Sequence, residues 1–161
     1  MKIYRDNGAV GAILDEYEKA IHELLFIISD IDNDELVRII DTVTKDEDCR
    51  SVQSILTHVI RSGYNYVNVI KRSLGDESLR IFEDKFNVVE TYSDELSAMF
   101  SYTEAFFENH PNIILEEKDQ QKKLLVSWGQ HYDIEQLMEH AIVHILRHRR
   151  QLERFLRVLR K

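Results

Sequence analysis

Four long segments of this sequence repeat apolar residues at steps of three and four, the spacing of one face of an α-helix. They cover about residues 8–30, 51–74, 91–109 and 133 to nearly the end of the chain. Only five Gly and one Pro occur in 161 residues, so few positions would break a long helix. The pattern predicts an all-α fold, for which a four-helix bundle is the simplest architecture.

The connections between these segments differ in length. About 20 residues separate the first segment from the second, and a similar number separate the third from the fourth, which permits crossovers. Residues 36–43 could form a short strand or a helical turn, and residues 114–130 could contain an extended pair. A chain of 161 residues has the size of one ordinary domain, so we expect a single domain over residues 1–161.

The charge of the chain limits its partners. A formal net charge of -8 argues against non-specific coating of nucleic acid, because phosphate binding needs a cationic surface. Residues 147–161 nevertheless contain seven Lys or Arg. These cations could stabilise the C-terminal end of a helix and pair with acidic neighbours, or they could form a nucleic-acid patch.

Targeting signals and cysteine pairs are not apparent. The N-terminal residues lack the apolar core of a signal peptide, and no apolar run approaches the roughly 18 residues that a membrane span requires. We therefore expect a cytoplasmic protein with no membrane partner. The lone cysteine, Cys49, has no partner for an internal disulfide or a C-x-x-C motif, so we expect it to be incidental.

The most informative stretch is HAIVHILRHRRQL at residues 140–152, which places three histidines four residues apart. On an ideal helix, His144 and His148 fall in the seam that packs against neighbouring helices, whereas His140 lies on its polar border. The other members of this predicted seam are Leu137, Ala141, Gln151, Phe155 and Val158.

Buried imidazoles are costly because both ring nitrogens need partners, and two protonated rings four residues apart repel each other. A divalent metal ion removes both costs by taking a lone pair from each neutral ring. A third ligand should come from a facing helix. His58 lies at the edge of the apolar face of the second segment, where the small polar residues Ser62 and Asn65 would leave space, and Gly63 would allow close backbone approach. A ferritin-type di-iron site is excluded, because no Glu has a His three residues later.

Two parts of the sequence resemble one known family. SILTHV in the second segment, and WGQ followed by LMEHAIVHILRHRRQL, are similar to the DinB/YfiT-like family of bacterial metal-binding four-helix bundles. The resemblance implies that His58, His144 and His148 bind one divalent ion, with zinc or nickel the usual metal. It also implies an up-down-down-up bundle with long crossovers, and frequent homodimers.

The resemblance suggests two activities. Some relatives transfer low-molecular-weight thiols to electrophiles, and others are described as metal-dependent hydrolases. The family often has Gly where this chain has Arg150, a difference that could alter the dimer surface or the mouth of the substrate site.

Three histidine ligands leave a tetrahedral ion one open position for water or a thiol. We therefore expect a metal-dependent hydrolase or thiol transferase with a small substrate. Tyr66 and Gln151 either contact the ligands or that substrate or have a structural role, and His140 either contacts the ligands or lies on the surface. The alternative is a non-catalytic dimeric stress-response bundle with a structural or vestigial metal site. A fourth ligand from the protein, in place of an open position, would favour this alternative.

Overall fold

The computed structural model describes residues 4–160, so residues 1–3 and 161 of the predicted domain lie outside the described residues. The described part is mostly helical, with one two-stranded sheet, which confirms the predicted all-α class. No helix in this part is long and apolar enough to cross a membrane. The helices are α1 (Gly8–Ile28), α2 (Asn33–Val37), α3 (Val52–Ser73), α4 (Val89–Asn109) and α5 (Ile134–Leu159).

The four long helices, α1, α3, α4 and α5, form an up-down-down-up bundle. Contacts between helices show their relative directions. Along α1 and α5, and along α3 and α4, the numbers of the contacting residues increase in the same direction, so these helices are parallel. Along α1 and α4, and along α3 and α5, they increase in opposite directions, so these helices are antiparallel. The pairs, which include flanking residues, are Glu23 with Arg149, Asp30 with Arg160, Thr57 with Tyr92, Asn68 with Tyr102, Arg5 with Glu104, Tyr17 with Phe100, His58 with His148 and Tyr66 with His140.

The two uncertain connections contain less regular structure than the sequence allowed. Residues 36–43 contribute only the last turn of α2, and residues 38–43 have no regular structure. The extended pair lies at the end of the expected range and beyond it, where β1 (Leu124–Leu125) pairs antiparallel with β2 (His131–Tyr132). Gly129 takes a positive φ of 84° in the turn between them, a conformation that glycine adopts without a steric penalty.

The two helices that carry the predicted ligands begin with reciprocal caps. Asp133 accepts from the Gln136 backbone N–H while the Gln136 side chain accepts from Asp133, which confirms the predicted start of α5. Ser51 and Ser54 cap the start of α3 in the same way. Lys123 pairs with the Asp133 carboxylate, their nearest N and O atoms 3.2 Å apart, and so ties the strand pair to the start of α5.

Gly63 allows the close backbone approach that the sequence predicted, and it does so on the side of α3 away from His58. It lies against α4, where an added Cβ would collide with the buried side chain of Met99. The glycine therefore permits close approach of α3 and α4 and leaves the opposite face of α3 for His58 and α5.

Two fully buried tyrosines differ in how their hydroxyl groups are satisfied. The Tyr92 hydroxyl lies 2.7 Å from Thr57 Oγ1 and accepts from the Phe86 backbone N–H, so it joins α4 to α3 directly beside His58. The Tyr17 hydroxyl is buried and has no hydrogen-bond partner in the part of the chain that the structure describes. A buried polar group without a partner costs about 1–3 kcal/mol, whereas a satisfied one stabilises the fold.

Removing the same atom should therefore have opposite effects at these two positions. We expect Tyr17→Phe to raise the free energy of unfolding by about 1 kcal/mol and Tyr92→Phe to lower it by about 1–2 kcal/mol. Urea denaturation of both variants beside the unmodified protein measures this. A loss of stability in Tyr17→Phe would show that its hydroxyl has a partner.

Candidate metal centre

His58 from α3 and His144 and His148 from α5 meet at the contact between these antiparallel helices. The centroids of their rings are 4.5–5.0 Å apart, and one nitrogen from each ring lies within 4.8 Å of the others. In residues 4–160 this is the one group of at least three His, Cys, Asp or Glu side chains close enough to share an ion. His22, His110 and His131 lie outside it.

The apolar stripe of α5 is rotated slightly from the predicted seam. His148 is in the stripe and buried, but His144 and Gln151 lie at its edge, and Val158 is 59% exposed. The predicted seam is right at its first residues, Leu137 and Ala141. Beyond them it lies partly along the polar edge of the stripe, because Ile145 and Leu152 lie closer to the centre of the contact. The observed stripe contains Leu137, Ala141, Ile145, His148, Leu152 and Phe155. The edge position brings His144 to the boundary between the core and an open cavity.

An acidic partner determines which ring nitrogen of His58 carries the proton. Its Nδ1 lies 3.2 Å from Oδ2 of Asp48, which belongs to a 3₁₀ turn (Glu47–Cys49) just before α3. A carboxylate only accepts, so Nδ1–H is the donor and Nε2 keeps its lone pair. Arg61, one turn after His58, donates to the same Asp48 oxygen and holds the carboxylate in place.

Gln151 determines the position of the proton on His148 in the same way. The Nδ1–H of His148 donates to Gln151 Oε1 over 3.1 Å, which leaves Nε2 of His148 as the lone-pair atom. The amide nitrogen of Gln151 donates in turn to the backbone carbonyl of Cys49, 3.5 Å away. This contact also fixes which end of the amide is the acceptor. Gln151 thus contacts a predicted ligand directly, and it joins α5 to the turn that carries Asp48.

His144 is the ring that the protein itself leaves incompletely paired. Its Nε2 lies 2.9 Å from Nε2 of His58, and its buried Nδ1 has no hydrogen-bond partner among residues 4–160. Burial, with a smaller contribution from the neighbouring histidines and Arg147, lowers the pKa of His144 to about 2. Burial likewise lowers the pKa of His148 to about 4 and lowers the pKa of His58, although Asp48 opposes the effect at His58.

All three rings are therefore neutral at pH 7, the state in which imidazole offers a lone pair to a metal. Within the described residues, no fourth His, Cys, Asp or Glu atom joins the three nitrogens. The donor set fits a divalent ion with one coordination position that no such side chain fills. An orphaned ring nitrogen beside two oriented ones is difficult to explain by protein contacts alone.

A cavity of about 550 Å³ opens from His58 and His144. Its floor is the polar stripe of α3, and Ser62 and Asn65 line it as the sequence predicted. Tyr66, buried under the cavity, contacts the rings of His140 and His144 at centroid distances of 5.8 and 6.0 Å. The predicted polar-border residue, His140, lines the cavity next to the three-histidine group but is not a member of it.

The sequence did not predict the contacts of several residues of this site. The partnership of Asp48 with His58 depends on how the turn before α3 folds back. Trp128 lies at the tip of the strand pair and stacks on His140, with ring centroids 5.0 Å apart. Cys49, expected to be incidental, lies beside Gln151, and burial raises the pKa of its thiol.

The chain matches one family model that describes a known protein family. A model of the DinB family matches residues 13–159. This range contains all three histidines of the candidate centre and all four long helices, apart from the first residues of α1. A search of curated proteins finds no match.

The depressed pKa values predict acid sensitivity in metal-free protein. Between pH 6.5 and about 4 the unfolded chain protonates His148 while the folded protein does not, so falling pH favours unfolding. As the pH falls, the free energy of unfolding should decrease less steeply in His148→Gln than in the unmodified protein. The two slopes should differ by up to about 1.4 kcal/mol per pH unit. Urea denaturation at pH 7, 6 and 5 after chelation measures the slopes, and parallel slopes would contradict a neutral buried His148.

Proposed function

Since this chain belongs to the DinB family, we propose that it is a metal-dependent enzyme that holds a divalent ion through His58, His144 and His148. The observation that carries the proposal is the convergence of three neutral ring nitrogens within 4.8 Å at the edge of an open cavity. Zinc or nickel is the proposed ion, because imidazole nitrogen suits both metals. The substrate is a small molecule that enters the cavity of about 550 Å³.

The chemistry at such a site comes from the ion. When bound by three imidazoles, a divalent ion acts as a Lewis acid and lowers the pKa of a water molecule or thiol at its open position. The chain's own residues prepare the donors. Asp48 and Gln151 hold the protons of His58 and His148 on Nδ1, so that both Nε2 lone pairs stay available. Tyr66 and Trp128, whose rings contact each other, form an aromatic part of the cavity lining.

The nucleophile is either water, which makes the protein a hydrolase, or a low-molecular-weight thiol, which makes it a transferase. Cys49 is not a candidate nucleophile, because burial raises the pKa of its thiol and so favours the protonated, unreactive form. A screen of the metal-loaded protein with thiols and electrophiles, beside simple esters and amides, separates the two activities. The homodimer that the family resemblance implies stays a prediction.

The non-catalytic alternative requires a closed site. A structural zinc ion is usually surrounded by four protein ligands, whereas a catalytic one keeps a position for water or substrate. In residues 4–160 the group contains three potential ligands, and His58 and His144 face the cavity. This arrangement supports catalysis over a purely structural ion.

Metal content tests the proposed ligands. We expect protein purified without a histidine tag, and then loaded with zinc or nickel, to retain about one ion per chain, and His144→Ala and His148→Ala to retain little after the same gel filtration. The matched control is His22→Ala, which removes an exposed histidine from the surface of α1. Elemental analysis of all four proteins gives the result, and undiminished metal in both triad variants would refute the proposal.

Asp48 should affect the affinity of the centre without being a ligand. Partners of ligating histidines typically contribute 10–100-fold to metal affinity, so we expect Asp48→Ala to weaken zinc binding about tenfold. Asp34→Ala removes an equal charge from an exposed position on α2 and should have no such effect. Competition with a zinc chelator measures both. Equal affinities for Asp48→Ala and the unmodified protein would mean that Asp48 does not orient His58.

A further inference from the structure

The cavity beside the three histidines changes in character along its length. His58 and His144 lie at one end, and Tyr66, His140 and Trp128 form an aromatic section next to them. This order follows α3, because His58, Ser62, Asn65 and Arg72 lie along one face of the helix. At a rise of about 1.5 Å per residue, Arg72 is about 21 Å from His58 along the helix axis.

The far end of the cavity is cationic. Arg72, at the end of α3, and Arg80, in the connection to α4, both line it. The side chain of Arg72 makes no hydrogen bond or ion pair within the described residues. Arg80 forms an ion pair with Glu95 over 3.8 Å, beyond hydrogen-bond distance, and among the described residues Glu83 is the one acidic residue in the lining. An excess of arginine is unexpected on a chain whose net charge is -8.

The position of Arg80 is built into the fold. Asn68, 4% exposed on α3, donates its amide to the Arg80 backbone carbonyl over 2.6 Å and accepts from the Arg80 backbone N–H over 3.1 Å. The guanidinium also lies over the ring of Tyr64, 5.1 Å from its centroid. A buried amide thus anchors a loop arginine at the cavity. The third arginine of the lining, Arg61, is already compensated by Asp48.

We propose that the substrate is an elongated small molecule with a carboxylate or phosphate group at the end remote from the histidines, bound by Arg72 and Arg80. Guanidinium groups bind both oxyanions with charge-assisted hydrogen bonds, and the aromatic section accommodates an apolar or planar middle part. This inference names the substrate class of the proposed enzyme and rests on that function. The anion site itself consists of side chains that do not contact the three ligands.

Binding of matched probes to chelator-treated protein tests the proposal. The probes are phenylbutyrate, its neutral amide phenylbutyramide, and phenyl phosphate. Trp128 is the single tryptophan of the chain and lines the cavity, so its fluorescence reports occupancy without metal or activity. We expect at least one of the two anions to bind about tenfold more tightly than phenylbutyramide. The tighter of the two anions identifies the group as carboxylate or phosphate.

Variants then assign the charge. Arg72→Gln/Arg80→Gln should weaken the preferred anion about tenfold and leave the affinity for phenylbutyramide unchanged. The matched control is Arg150→Gln, because Arg150 lines a different arginine-containing cavity of about 700 Å³ beside Cys49. Equal binding of acids and amide, or a loss in Arg150→Gln but not in the double variant, would overturn the proposal. Because the protein is metal-free, failure of the metal proposal leaves this result unaffected, and the reverse also holds.

Discussion

The contact of His58 with His144 and His148 is the constraint on which the rest of this site depends. Three imidazoles packed within 5.0 Å of one another cannot all be protonated, and burial keeps them neutral. Among residues 4–160, Asp48 and Gln151 accept the Nδ1 protons of His58 and His148, which directs the Nε2 lone pairs of these two rings into the contact. A divalent ion binds such lone pairs, which explains why imidazole occupies positions where a helix contact ordinarily has leucine.

The surrounding fold holds that contact from several directions. Reciprocal caps fix where α3 and α5 begin, and therefore which residues face each other along their antiparallel contact. Gly63 lets α4 pack closely on the opposite side of α3, and Tyr92 fixes α4 to Thr57 next to His58. The connections then enclose the cavity, because the strand pair carries Trp128 to one wall and Asn68 anchors Arg80 at the far end. The long helices carry the three histidines, and the connections contribute Trp128 and Arg80 to the cavity lining.

The sequence predicted the long helices and the three histidines that the structure groups together, because helical periodicity is a local property that one chain reveals. The start of α5 at Asp133 was also predictable from its cap, and the bundle order came from the family resemblance. The seam of α5 was less accurate, since tertiary packing determines whether Ile145 or His144 faces the core. Asp48 and Arg80 could not be found, because irregular segments bring them to the site and no spacing encodes such contacts.

X-ray absorption at the metal edge, on untagged protein, tests the central claim most directly because it reports the ligand atoms themselves. The account predicts a first shell of light atoms at about 2.0–2.1 Å with the outer-shell scattering of about three imidazole rings, the signature of zinc held by nitrogen. A sulfur shell at about 2.3 Å, which would indicate Cys49, would contradict it. A shell without imidazole scattering would contradict it equally.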